Sequence, residues 1–127
     1  MIILVDAMGG DNAPDAVIKG AVKASSEVDA EICLVGNKEI INQKVKEFYG
    51  KDSIEEVANN IKIHHTTEVI EMEDTPTVAI KHKKDSSMVV GFNLLKEDKG
   101  DVFISAGNSG ALLTRSNLTC WKNKRNR

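Results

Sequence analysis

The stretch IILVDAMGGDNAP, residues 2–14, places a continuous apolar run directly before two glycines and a proline. An unbroken run of Ile, Leu and Val is typical of a strand that is covered on both faces, as in parallel sheets. Adjacent glycines permit a positive φ angle or a close backbone approach, and Pro14 suits the first position of a helix. The stretch therefore predicts a strand, a loop and a helix, which is the opening unit of an α/β fold.

The same unit recurs along the chain. Residues 32–35, 61–63 and 101–104 are three further apolar runs, and apolar residues at helical spacing lie between them. A helical region that starts at residues 75–76 is interrupted near residues 85–87. Alternating strands and helices imply parallel strands with right-handed crossovers. We expect an open α/β sheet with helices on both faces.

Composition limits the class of protein. The chain has 127 residues, of which 41% are hydrophobic and 28% charged, and this suits one globular domain or a piece of a larger one. No apolar run approaches the roughly 18 residues of a membrane span, and the N-terminus lacks the basic region of a signal peptide. Cys33 and Cys120 form no disulfide framework or metal motif. We expect a cytoplasmic protein without a metal.

Two short loops follow predicted strands, and in open α/β sheets ligands bind beyond the carboxyl ends of the strands. The loop at residues 105–110, SAGNSG, combines glycines with two side-chain donors, Asn108 and Ser109. Glycines let backbone N–H groups approach a ligand, and a following helix favours an anion at its N-terminus. The loop could bind phosphate or stabilise an oxyanion. An ordinary tight turn between strand and helix explains the same residues equally well.

The other loop, residues 6–11, carries two carboxylates and two glycines. Asp6 and Asp11 could orient donors, hold a cation or accept a proton. Gly9 and Gly10 allow the backbone to turn sharply or to approach another group closely. The structural alternative is that Asp11 or Asn12, and more readily Asn12, caps the helix that begins near residue 14.

A third stretch, KHKKDSSM at residues 81–88, places four potentially cationic side chains before two hydroxyl groups. These could receive a phosphorylated carrier or its pantetheine arm. A solvated helix face, with Asp85 or Ser86 capping the next helix, is the favoured interpretation of this stretch alone.

The three stretches together resemble the bacterial phosphate acyltransferases, which use acyl carrier protein in phospholipid synthesis. VDAMGGDNAP (residues 5–14), EDTPTVAIKHKKDSSM (73–88) and DVFISAGNSGALLT (101–114) occur in that family's order and spacing. The resemblance implies transfer of a fatty acyl group from acyl carrier protein to inorganic phosphate, which forms an acyl phosphate. It also implies a Rossmann-like αβα sandwich with a mostly parallel sheet, similar to isocitrate and isopropylmalate dehydrogenases.

The resemblance further implies a homodimer that associates peripherally with membranes and uses no metal or redox cofactor. Carried onto this sequence, it gives the two residues of the 105–110 loop with side-chain donors as catalytic ligands of phosphate or oxyanion, namely Asn108 and Ser109. The binding residues that it gives are Asp6, Gly9, Gly10, Asp11, Lys84, Ser86, Ser87, Ser105, Gly107 and Gly110. Among these, Gly107 and Gly110 are further ligands of phosphate or oxyanion, and Ser105 shapes the turn.

The last thirteen residues, RSNLTCWKNKRNR at 115–127, depart from the family pattern and carry five basic residues and no acid. We expect family sequence over residues 1–114 and a basic tail that one inserted base at the Thr114/Arg115 junction explains. The chain would then be a truncated product without activity alone. The alternative function is a fragment that retains only phosphate or carrier-protein binding. One Trp among the basic residues gives no aromatic interleaving, so nucleic acid is not expected as a partner.

Overall fold

A computed structural model describes residues 1–107, which form one parallel sheet flanked by helices. The strands in this range are β1 (Ile2–Asp6), β2 (Glu31–Gly36), β3 (Ile61–His65) and β4 (Val102–Ile104). The helices are α1 (Asp15–Ser25), α2 (Lys38–Tyr49), α3 (Ile54–Val57), α4 (Pro76–His82) and α5 (Ser87–Lys96). All three strand pairings are parallel, so the predicted α/β class and the predicted open parallel sheet are confirmed.

The strand order is β3-β2-β1-β4, which puts the first strand next to the last described one. The chain moves outward from β1 to β3 and then crosses back to place β4 on the other side of β1. Leu4 of β1 lies opposite Cys33 of β2 and Phe103 of β4. A reversal of this kind opens a crevice at the carboxyl ends of the two strands, where ligands bind in such sheets. The loops after β1 and β4 are therefore neighbours at the crevice.

Two apolar clusters cover opposite faces of the sheet, because successive side chains of a strand point to opposite sides. Leu4 belongs to the cluster that contains Met88 and Phe92 of α5. The adjacent Val5 packs against the other cluster, which contains Ile18 of α1 together with residues of α2 and α3. The chain therefore forms an αβα sandwich, while its likeness to the dehydrogenases stays a prediction.

The start of α1 differs from the expectation that Asp11 or Asn12 would cap it, and that interpretation is wrong. The helix begins after Pro14, which is its N-cap residue, and no side chain caps it by a hydrogen bond. A backbone carbonyl takes that role, because Asn12 O accepts from Ala16 N–H at 3.0 Å, before the first intrahelical bond, from Ile18 N–H to Pro14 O at 2.9 Å. The side chain of Asp11 is consequently left on the surface beside the crevice.

The helices of the sandwich are short. α2 has 12 residues, and its N-cap residue Asn37 accepts a hydrogen bond from Ile40 N–H with its side chain. Its C-cap residue Gly50 has a left-handed φ of 70°. Between residues 1 and 107, no helix has the length and apolar character needed to cross a bilayer.

Candidate active site

Asp6, the last residue of β1, lies at the centre of the crevice with only 2% of its surface exposed. Its Oδ1 atom accepts hydrogen bonds from the backbone N–H groups of Met8 and Gly9, each at 3.0 Å. A buried carboxylate is costly unless donors surround it, and these two bonds fold the loop after β1 back over the strand end. The loop therefore has a shape set by the residue that precedes it.

Two serines from distant parts of the chain complete the surroundings of Asp6. Ser87 Oγ donates to Asp6 Oδ1 at 2.5 Å, and Ser105 Oγ donates to Asp6 Oδ2 at 2.8 Å. Ser87 is the first residue of α5, and Ser105 follows β4 directly. One carboxylate thus joins the three sequence motifs at a single point.

The hydrogen bonds of the two serines decide what they can offer to a ligand. A hydroxyl group has one proton, and both Ser87 and Ser105 direct theirs to Asp6. Ser105 Oγ also accepts from Gly107 N–H at 3.1 Å. These serines and the Gly107 amide therefore shape the crevice, and donors for an anion have to come from other groups.

Gly9 and Gly10 are required by close packing and by backbone conformation. A Cβ atom at Gly9 would lie 2.5 Å from Asp6 Oδ2 and 3.0 Å from Gly107 Cα, so the two loops touch through bare backbone. Gly10 has a φ of 98°, a region that residues with a side chain rarely adopt. Close approach thus explains Gly9, whereas Gly10 combines a positive φ with a close approach of Ala106.

Ser86 serves as the N-cap of α5, as the structural alternative for residues 81–88 proposed. It is fully buried, and its Oγ atom accepts from Val89 N–H at 3.2 Å. The preceding Asp85 holds the segment after β3, because its Oδ2 atom accepts from Thr67 N–H at 3.0 Å and from Thr67 Oγ1 at 2.6 Å. The cap fixes the start of α5 and so the position of Ser87.

The lysines of the same stretch differ in their surroundings. Lys84 is exposed in the turn before α5. Lys83 instead donates from Nζ to Asp74 Oδ2 at 2.7 Å and to the Val69 carbonyl at 2.8 Å. The hydrogen bond between them raises the pKa of Lys83 and lowers the pKa of the Asp74 carboxyl below its usual 3.8. Lys83, the C-cap residue of α4, thereby holds the end of that helix to the segment before it.

Three clefts border the loop after β1, and the charges of their lining residues differ. One, of about 560 Å³, runs from Asp11 along α1 and is lined by Lys19 and Lys44 as well as by acidic residues. A second cleft of about 390 Å³ between this loop and residues 69–73 is lined by Asp11, Glu71 and Glu73, which disfavour an anion. The third cleft, of about 340 Å³, extends from Gly9 and Ala106 to the first turn of α1, and Asp11 is the one charged residue among its described lining residues. A helix N-terminus favours negative charge, so the two clefts beside α1 suit phosphate better than the acidic one.

Comparisons with known proteins show which family the chain is similar to. Residues 1–125 match the family model described as fatty acid synthesis protein. The chain is 61% identical to the phosphate acyltransferase of Acetivibrio thermocellus over 115 residues, which cover 90% of this chain and 32% of that relative. It is 50% identical to the phosphate acyltransferase of Clostridioides difficile over 113 residues, or 89% of this chain and 32% of that relative.

The chain belongs to the fatty acid synthesis protein family. It spans about a third of the length of the curated relatives that it matches. The family match extends to residue 125, whereas the likeness in quoted motifs ends at Thr114, and the boundary expected there stays a prediction.

Most of the predicted site residues that the structure describes lie together in this family member. The residues that form the Asp6-centred cluster are Asp6, Gly9, Gly10, Ser87, Ser105 and Gly107. Asp11 and Lys84 lie exposed near its rim, and Ser86 lies beneath it at the start of α5. Asn108, Ser109 and Gly110 lie outside the described residues, so their roles stay predictions.

Sequence reasoning overlooked two residues that shape the cluster. Met88 places its Cε atom 2.9 Å from the position of a Cβ atom at Gly107, so it forms the floor beneath the second loop. Ala106 lies against Gly10, with its carbonyl oxygen 3.1 Å from the position of a Cβ atom there. Neither apolar residue stands out in the sequence. The one indication for Met88 was its position directly after the two serines at the start of α5.

Proposed function

We propose that this chain supplies the phosphate-handling part of an enzyme that transfers a fatty acyl group from acyl carrier protein to inorganic phosphate. The observation that carries the proposal is the 61% identity to a phosphate acyltransferase over 90% of the chain. The geometry supports it, because the three motifs meet around Asp6 at the crevice where the strand order reverses.

The reaction requires positioning more than a reactive side chain. An oxygen of phosphate attacks the thioester carbonyl carbon, a C–O bond forms, and the C–S bond breaks as the carrier thiol leaves with a proton. The carbonyl oxygen gains negative charge during the attack and has to be met by oriented donors. Phosphate is itself the nucleophile, so the protein contributes mainly by holding the two reactants together.

Asp6 contributes through the loops that it positions. Its two oxygen atoms accept four hydrogen bonds, from Met8, Gly9, Ser87 and Ser105, and this arrangement leaves it unsuited to act as a base. It instead brings the backbone of the first loop against Gly107. The predicted donors Asn108 and Ser109 follow Gly107 directly in the sequence. In this proposal they meet phosphate in the cleft beside the first turn of α1.

Lys84 has a different part in the proposal. Its exposed ammonium group at the turn before α5 is available to the phosphate of the carrier's pantetheine arm. Following the resemblance, the proposal extends to a cytoplasmic homodimer that associates peripherally with membranes and needs no metal or redox cofactor.

The second candidate is binding without turnover. The chain spans 32% of each of the two relatives named above, so groups that those relatives contribute from the rest of their length are not part of the alignment. In this case the chain would bind phosphate or acyl carrier protein and release no acyl phosphate. Phosphate-dependent thermal stabilisation of the purified chain without product formation would favour this candidate.

A chimera tests the proposed activity. Residues 1–110 of this chain would replace the equivalent segment of the Acetivibrio thermocellus relative, and acyl phosphate would be trapped with hydroxylamine. We expect turnover in the chimera and a lower kcat or a raised KM for phosphate in Asn108→Ala. Lys62→Ala, on an exposed position of β3, is the matched control and should leave both constants unchanged. Unchanged kcat and KM in Asn108→Ala would contradict the assigned role.

A further inference from the structure

The segment that leaves β3 lies beside the segment that enters α5. Glu68 and Ser86 pair in a parallel bridge outside the named strands. The backbone N–H groups of Thr67 and Glu68 donate to the Asp85 carbonyl at 3.3 and 3.1 Å. These contacts tie the end of β3 to the start of α5, although the whole of α4 lies between them in the sequence. We call residues 67–68 and 85–87 the β3–α5 junction.

Side chains add three more hydrogen bonds to the β3–α5 junction. Asp85 Oδ2 accepts from the backbone N–H and the hydroxyl group of Thr67, and Asp85 N–H donates to Glu68 Oε1 at 3.1 Å. Thr67 and Asp85 are both exposed. An exposed hydrogen bond adds only modestly to stability, because water competes for both partners. The concentration of such bonds here therefore points to exact placement of the backbone that they join.

Ser87 is the residue that the β3–α5 junction places. Its N–H donates to the Glu68 carbonyl at 3.2 Å, and its Oγ donates to Asp6 Oδ1 at 2.5 Å. The same Asp6 oxygen accepts from the N–H groups of Met8 and Gly9. A shift of Ser87 must lengthen a short bond or move the carboxylate. Either change weakens the hold on the loop after β1.

We propose that Thr67 and Asp85 are positioning residues of the candidate active site, which act through Ser87 on Asp6 and the loop after β1. The inference rests on the proposed function, because it assumes that the reaction takes place at the crevice. A displacement of about 1 Å in a catalytic arrangement is enough to slow a reaction strongly. Exposed residues outside the crevice can therefore govern turnover without touching a substrate.

Amide exchange in the 127-residue chain tests the structural step. Asp85→Ala removes the acceptor of two bonds at an exposed position, so no buried group loses its partner. We expect exchange at Met8 and Gly9 to accelerate about fivefold relative to Ile32, the factor that corresponds to one weakened hydrogen bond. Ile32 is buried in β2 and reports unfolding of the whole sheet. Asp52→Ala, which removes an exposed carboxylate before α3, is the control and should leave these ratios unchanged.

Two results of this measurement would overturn the inference. Unchanged exchange at Met8 and Gly9 would show that the loop after β1 does not depend on the β3–α5 junction. Equal acceleration at Ile32 would show that Asp85 stabilises the fold as a whole and positions nothing in particular.

Turnover of the chimera described above tests the functional step. Thr67→Val removes the hydroxyl donor and keeps the size of the side chain. We expect kcat to fall about fivefold with an unchanged KM for acyl carrier protein, because alignment is lost while substrate contacts remain. Thr67→Ser keeps the hydroxyl group and should restore kcat. Thr77→Val makes the same change at an exposed position of α4 and should leave both constants unchanged.

The two measurements separate this inference from the proposed function. A chimera without turnover counts against the proposed function, and the exchange rates in Asp85→Ala then decide whether the β3–α5 junction positions the loop. An unchanged kcat in Thr67→Val within an active chimera overturns the positioning role and leaves the proposed function in place.

Discussion

The carboxyl ends of β1 and β4 and those of β2 and β3 occupy equivalent places in the sheet and are built in different ways. At β1 and β4, the buried Asp6 accepts hydrogen bonds from Ser87 and Ser105, which are 81 and 99 residues away in sequence. At β2 and β3, exposed caps hold the start of α2. Ile40 N–H donates to Asn37 Oδ1, three residues away, and Lys38 N–H donates to His65 Nδ1.

The difference shows which of the two pairs of strand ends is held in a fixed arrangement by distant residues. A buried carboxylate is tolerated only when every acceptor position is satisfied, so distant segments must be brought to it. Exposed caps make no such demand, because water can replace either partner. The long-range cluster coincides with the crevice, and this is the reason to place the function there.

The largest expected effect comes from removing the carboxylate. Asp6→Ala leaves four buried or half-buried donors without their acceptor, and we expect the free energy of unfolding to fall by about 3–5 kcal/mol. Urea denaturation followed by circular dichroism measures the change. Asp6→Asn, which keeps the shape and two acceptor sites, should lose less. A loss below about 1 kcal/mol in Asp6→Ala would show that the cluster contributes little to stability.

Substitution of the first glycine in the same loop should have the next largest effect. The Cβ atom of Gly9→Ala would lie 2.5 Å from Asp6 Oδ2, and relief of the overlap should cost about 1–3 kcal/mol. Gly20→Ala is the matched control. Its Cβ atom meets nothing, so better helix propensity should stabilise the chain by about 1 kcal/mol. If both variants shift the urea midpoint in the same direction, the close loop contact is not present in solution.

A smaller, local effect is expected at the other pair of strands. Asn37→Ala removes the side-chain cap of α2 and should cost about 1 kcal/mol. Native-state hydrogen exchange should show faster exchange at Ile40 and unchanged exchange at Gly9. Loss of protection at Gly9 would mean that the loop after β1 depends on the cap of α2. This would contradict the separate construction of the two pairs of strand ends.

The smallest effect concerns the ion pair of Lys83 and Asp74. The lysine lowers the pKa of the Asp74 carboxyl below 3.8, so the pair stabilises the fold above that pH and loses this contribution as the pH falls through the lowered pKa. Melting temperatures of the parent chain and Asp74→Asn should therefore differ at pH 6 and converge in acid. A constant difference down to the acid limit would contradict the assigned charge interaction.

The sequence was sufficient to predict the four strands and their parallel arrangement, because residues 2–5 and the later apolar runs permit little else. It could not predict that β4 joins the free side of β1, since an apolar run does not specify its neighbour. The cap predicted at Asn12 failed for a local reason. The backbone carbonyl of Asn12 accepts from Ala16 N–H in the first turn of α1, and no composition rule reveals that choice.

For the candidate site, the motifs indicated which loops would meet, and the structure shows how. Asp6 was one of several candidate residues in sequence, and its central place depends on Ser87 and Ser105 arriving from other elements. Ser87 was predicted to contact the carrier or phosphate, and Ser105 was predicted to shape its turn. Their protons are directed to Asp6, a fact that depends on distances no local pattern contains.

The central claim is that one carboxylate holds three distant motifs as a single unit. Native-state hydrogen exchange on Asp6→Asn tests this claim most directly. The account predicts a similar loss of protection at Gly9, Val89 and Gly107, while Ile40 in the first turn of α2 keeps its protection. Loss of protection confined to Gly9, with Val89 and Gly107 unchanged, would contradict it.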